Sequence, residues 1–103
     1  MKKVLIIGSS GSLAKCIIKH LKNFNVLIFK ISRNEIDFNT NKSTIKLNQY
    51  LKKIEPDIII NCVGIFKNNN FSFENMFNIN TKIGWNLINF YRLKIKKKVR
   101  IIL

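Results

Sequence analysis

From Lys3 the chain runs through Val4, Leu5, Ile6 and Ile7 without a polar interruption and stops at Gly8. A run of this kind is a strand buried on both faces, which requires a sheet covered on both sides. It feeds straight into Gly8-Ser9-Ser10-Gly11-Ser12-Leu13-Ala14 and then into a helical period, with Leu13, Cys16, Ile17 and Leu21 at helical spacing. Ser12 is placed to help that helix start. A buried strand, a glycine turn and a helix in direct succession constrain the fold more than any other feature of the chain.

The same alternation continues to the last residue. Residues 25–31 read as a second strand and Glu35 to Phe38 as a short third one. Residues 42–55 form an amphipathic helix carrying Ile45, Leu47, Tyr50, Leu51 and Ile54, closed by Pro56. Residues 57–63 read as a β-branched fourth strand. Residues 72–93 return to a helical stripe of Met76, Ile79, Ile83, Leu87, Phe90 and Tyr91, and residues 98–103 begin a fifth strand. Helices between the strands imply crossovers and a parallel sheet. The expected fold is therefore α/β, a Rossmann-like doubly wound sheet of about five strands in the order 3-2-1-4-5. Residues 1–103 make one domain, with ligand at the carboxyl ends of the strands where the order reverses.

Charge bears on partners. The formal net charge of +14 invites a nucleic-acid reading. The 16 Lys accompany 19 Ile and 15 Asn, an excess that inflates core and surface alike and points to compositional bias. The lysines are scattered, apart from Lys94, Lys96, Lys97, Lys98 and Arg100, so nucleic acid is not the expected partner. A nucleic-acid binder would show salt-sensitive retention on DNA. No apolar run approaches the roughly 18 residues of a membrane span. The apolar stretch after Lys2 and Lys3 is too short for a signal-peptide core, so no membrane association and a cytoplasmic location are expected. Cys16 and Cys62 form neither a metal spacing nor a disulfide framework. Both read as packing residues, and His20 reads as a surface residue of the first helix.

The loop after the first strand carries the chemistry. Gly8 permits a tight turn, Gly11 lets a pyrophosphate approach the backbone, and Ala14 is small enough for close helix–strand packing. The free N–H groups around Ser12 and Leu13 and the helix dipole then face an anion. Gly8, Ser9, Ser10, Gly11, Ser12 and Leu13 are thus candidate dinucleotide contacts. Where an NAD-preferring site places an acid after the second strand, this chain has Ile31-Ser32-Arg33-Asn34. Arg33 offers a guanidinium fork for a 2′-phosphate, with the Ser32 hydroxyl beside it. NADP(H) is the expected cofactor, with NAD(H) as the lesser choice.

On these residues the sequence resembles the short-chain dehydrogenase/reductase superfamily, over essentially its whole length. The G-x-x-G-x-x-A spacing is similar to the extended and atypical branches. Arg33-Asn34-Glu35-Ile36-Asp37 followed by Glu55-Pro56-Asp57-Ile58-Ile59-Ile60-Asn61 resembles the dehydrorhamnose reductase type. The resemblance implies an adenine contact for Asp37, which fits a turn or helix cap equally well. It also implies that Asn61, Val63 and Gly64, in Asn61-Cys62-Val63-Gly64, lie along the cofactor ribose, with Val63 in place of the usual Ala. Asn80, in Asn78-Ile79-Asn80-Thr81, aligns with a helix Asn that supports a proton relay to a catalytic lysine.

The family's catalytic Ser and Tyr-x-x-x-Lys follow the fifth strand. Here Tyr50 is followed by Ile54, and Tyr91 has Lys94 at the wrong spacing. The resemblance therefore implies the NADP(H)-binding portion of a reductase whose full-length form takes a small-molecule substrate, for instance a nucleotide sugar. That portion is expected to be inactive alone. The alternative is a non-enzymatic dinucleotide-binding or interaction module. As a shortened domain it is expected to expose part of the 76–91 stripe and an apolar last strand, and to self-associate.

Overall fold

A computed structural model describes residues 1–63, 73–93 and 98–102. Strand β1 (Lys2–Ile7) sends alternate side chains to two faces, and both are buried. Val4 and Ile6 pack with Ala14 and Ile18 on one side, while Leu5 and Ile7 join Leu47, Leu51, Ile83 and Leu87 on the other. β1 pairs in parallel with β2 (Val26–Ile31) and with β3 (Ile58–Asn61), and β4 (Arg100–Ile102) pairs in parallel with β3. The sheet order is β2-β1-β3-β4. Helix α1 (Ser12–Leu21) covers one face; α2 (Ser43–Ile54) and α3 (Phe73–Leu93) cover the other. The result is the doubly wound Rossmann-like layer expected from the alternation.

The strand expected over residues 35–38 does not form, so four of the five expected strands are present in the order read for them. The Ser32 carbonyl accepts the N–H groups of both Glu35 and Ile36 at 3.1 Å. Those donors are committed to a turn and cannot serve a ladder. Ile36 is still buried in the core and Phe38 packs against it, which is why the segment imitates a half-buried strand.

Three apolar positions also fall differently. Cys16 is exposed and Leu13 is 66% exposed, because the face of α1 that meets the sheet is Ala14 and Ile18, with Ile17 and Leu21 at its margin. Ile45 is 62% exposed, and the buried stripe of α2 is Ser43, Leu47 and Leu51. The stripe of α3 expected to lie partly open is buried at Ile79, Ile83 and Leu87, where it packs over the sheet beside α2, and half-buried at Phe90 and Tyr91; the side chain of Met76 lies outside the described residues. Among the described side chains of α3, Trp85 and Ile88 are the exposed large apolar ones. Among the described residues no helix is long and apolar enough to cross a membrane.

Candidate functional site

At the carboxyl end of β1 the backbone turns through Gly8 at φ +81°, a conformation that costs a side-chain-bearing residue about 1–2 kcal/mol. The Gly8 and Ser9 N–H groups both donate to the Ile31 carbonyl, at 2.8 and 3.1 Å, and Cys62 N–H donates to the Ile7 carbonyl at 2.8 Å. The loop is thereby fastened to the ends of both neighbouring strands. A Cβ at Gly8 would lie 2.8 Å from Val63 Cγ2 and 2.9 Å from Val63 N. Glycine is required here by the neighbouring segment as much as by the turn.

Gly11 differs. Its φ of −74° suits any residue, and a Cβ there would meet only the Gly8 carbonyl oxygen, at 3.7 Å. Gly11, not Ser12, is the N-cap of α1, and no side chain caps the helix. The first-turn N–H groups of Ser12 and Leu13 are left without intrahelical acceptors, at the positive end of the helix dipole. No acidic side chain stands in that first turn. An open backbone cradle with uncapped donors suits an approaching phosphate group.

The chain after β2 forms a second wall. Arg33 is exposed and lines the cleft that opens over Gly8, Ser10 and Gly11. Ser32 lines it too, but its hydroxyl donates to the Glu35 carboxylate and accepts from Asn34 N–H at 3.3 Å. The hydroxyl expected to assist Arg33 is therefore engaged within the loop. Hydrogen bonds from the Ser32 hydroxyl and N–H hold the Glu35 carboxyl below the usual carboxylate range. Glu35 is ionised at neutral pH, and these bonds are lost only as pH falls through that lowered value. Asp37 lines the cleft while one carboxylate oxygen accepts Asn39 N–H at 3.0 Å. Its turn role is thus present in the structure.

The third wall is Cys62 and Val63, beyond β3. The Asn61 side chain accepts Val63 N–H at 3.1 Å and so holds this segment against the loop. Burial pushes the Cys62 thiol up, away from a reactive thiolate. Buried Ile79 of α3 also lines the cleft. Gly64 and the side chain of Asn80 lie outside the described residues.

Of the residues singled out in the sequence, Gly8, Ser10, Gly11, Arg33, Asp37 and Val63 line this one cleft. Ser9 of the loop, Ser12 and Leu13 at the start of α1, and Asn61 at the end of β3 flank it. Ile36, Phe38, Asn39 and Ile79 line it as well, and their apolar or turn character carries no chemical signal in the sequence. A wider depression of about 680 Å³ lies at the opposite, amino ends of the strands, lined by Lys2, Asp57, Tyr91, Lys98 and Arg100 among others. Its walls hold cations but no glycine loop. Among the described residues no group of three or more His, Cys, Asp or Glu could hold a metal ion.

No protein-family model and no curated protein sequence matches the chain. Solved structures do. One is dTDP-4-dehydrorhamnose reductase from Bacillus anthracis in complex with NADP, with 24% identity and a TM-score of 0.75 over 90% of this chain and 33% of that one. Another is the dTDP-4-dehydrorhamnose reductase of Yersinia enterocolitica, with 16% identity and a TM-score of 0.74 over 90% of this chain and 32% of that one. A GDP-mannoheptose C4 reductase from Campylobacter jejuni with NADP bound has 19% identity and a TM-score of 0.72, covering 89% of this chain and 27% of its own length. This chain thus spans about a third or less of each of these three structures. At these identities the likeness establishes the fold.

Proposed function

We propose that the chain binds NADP(H) across the carboxyl ends of β2, β1 and β3, as the cofactor-holding part of a reductase acting on a nucleotide sugar. The observation that carries this reading is the open cradle at Gly11. A Cβ there would meet nothing closer than 3.7 Å, directly before an uncapped helix start. The pyrophosphate would lie on the N–H groups of Ser12 and Leu13. Arg33 would take the 2′-phosphate through its guanidinium fork. Asp37 and Asn39 border the adenine side, and Asn61 holds Val63 against the ribose side. Bound there, the nicotinamide supplies a hydride; this chain's residues bind and orient the dinucleotide. The fold shared with reductases crystallised with NADP supports the same choice of cofactor.

A second reading, a dinucleotide-binding module that performs no chemistry by itself, is favoured by the spacing at the two tyrosines. The residue four positions after Tyr50 is Ile54, and after Tyr91 it is Ile95. Joining the chain to the remainder of a dTDP-4-dehydrorhamnose reductase separates the two: NADPH oxidation with a nucleotide-sugar ketone by that chimera supports the first reading, and NADPH binding without turnover supports the second.

The cofactor choice is tested by calorimetric titration of NADPH and NADH. Removing a charged donor to phosphate costs about 1.5–3 kcal/mol, so Arg33→Ala should weaken NADPH binding roughly 10- to 100-fold. NADH binding should hardly change. Equal loss for both dinucleotides would show that Arg33 does not read the 2′-phosphate.

A further inference from the structure

The loop that follows β2 carries a cation and an acid two residues apart, and they face different ways. Arg33 lines the dinucleotide cleft. Glu35 instead lines a separate depression with Lys46, Gln49, Tyr50 and Lys53. The Glu35 carboxylate is held in that orientation by Ser32, whose N–H donates to Oε2 at 2.7 Å and whose hydroxyl donates to the same oxygen. Asn34 N–H donates to the Ser32 hydroxyl at 3.3 Å, and the Glu35 and Ile36 N–H groups close on the Ser32 carbonyl at 3.1 Å. Ser32-Arg33-Asn34-Glu35 is a Ser-x-x-Glu pattern, with the acid reaching back to the serine N–H as in a helix capping box.

We propose that the Ser32–Glu35 pair is a latch that sets cofactor preference by keeping the loop carboxylate out of the cleft. An acid facing the cleft at this point would accept the ribose 2′-hydroxyl and repel a 2′-phosphate, favouring NAD(H). Tied back to Ser32, Glu35 does neither, and Arg33 is left as the charge that meets the 2′-position. The remaining nearby acid, Asp37, has one oxygen engaged by Asn39 N–H. Ser32 and Glu35 are positioning residues here, acting through what they leave exposed to the ligand. The inference rests on the dinucleotide reading above.

The test is calorimetric titration of the full chain with adenosine 2′,5′-bisphosphate and with 5′-AMP. The wild type should prefer the bisphosphate. Ser32→Ala removes one of the two bonds to Glu35 and should lower that preference about three- to tenfold, the range of a single lost hydrogen bond, with 5′-AMP binding retained. Adding Glu35→Gln to Ser32→Ala removes the charge and should restore the preference, which a merely structural turn would not do. An unchanged ratio in Ser32→Ala, or no recovery in the double variant, would overturn the latch while leaving NADP binding intact. A wild type without preference for the bisphosphate would overturn the NADP reading and the latch with it.

Discussion

Gly8→Ala is expected to lower the melting temperature by on the order of 10–40 °C, given about 4–8 °C per kcal/mol in a domain this small. Two penalties combine. The positive φ of +81° costs a residue with a Cβ about 1–2 kcal/mol. The new Cβ would also stand 2.9 Å from the Val63 backbone nitrogen and 3.1 Å from the Cys62 carbonyl carbon, and backbone cannot swing aside as a side-chain tip can. Overpacking of this kind costs typically about 1–3 kcal/mol. Relief would require β3 to part from β1, where Cys62 N–H holds the Ile7 carbonyl. A thermal melt of Gly8→Ala matching that of the wild type would show that the loop tolerates a side chain there.

Gly11→Val is expected to do the reverse, abolishing dinucleotide binding while the melt stays close to that of the wild type. The backbone at φ −74° accepts valine, and nothing in the protein lies closer than 3.7 Å to its Cβ. The branched side chain would instead fill the space before the helix start, where the proposed pyrophosphate site meets the N–H groups of Ser12 and Leu13. Losing that approach should weaken NADPH at least roughly 100-fold, about 2.7 kcal/mol. Calorimetry on the two glycine variants separates a glycine required by the fold from one required by the ligand. Retained binding in Gly11→Val would mean that the cradle is only a turn.

The parts of this molecule legible in its sequence are those where one physical demand dominates. The run from Val4 to Ile7 has no polar alternative, so a strand buried on both faces was the only consistent reading. The glycine loop is legible for a similar reason, since Gly8 answers to a turn and Gly11 leaves the backbone open before a helix start. Helix faces were harder, because a chain with 19 Ile places isoleucine on exposed faces as well as buried ones. Ile45 on α2 misleads in this way, and Leu13 and Cys16 fall on the wrong side of α1 despite helical spacing. Residues 35–38 imitate a strand because Ile36 and Phe38 alternate inward as a strand would, while the bonds that decide the matter belong to Ser32. The Ser-x-x-Glu pattern of Ser32 and Glu35 is the sequence signal for that turn.

The most direct test is a titration of isotope-labelled protein with NADPH, followed through its amide resonances. Shifts concentrated at Gly8, Ser10, Gly11, Ser12, Leu13, Arg33 and Val63 are expected, because those backbone groups form or flank the cleft over the strand ends. The opposite end of the sheet, at Lys2, Asp57 and Arg100, should stay unperturbed. Shifts confined to that opposite end, or none at all at saturating NADPH, would contradict dinucleotide binding at the glycine loop.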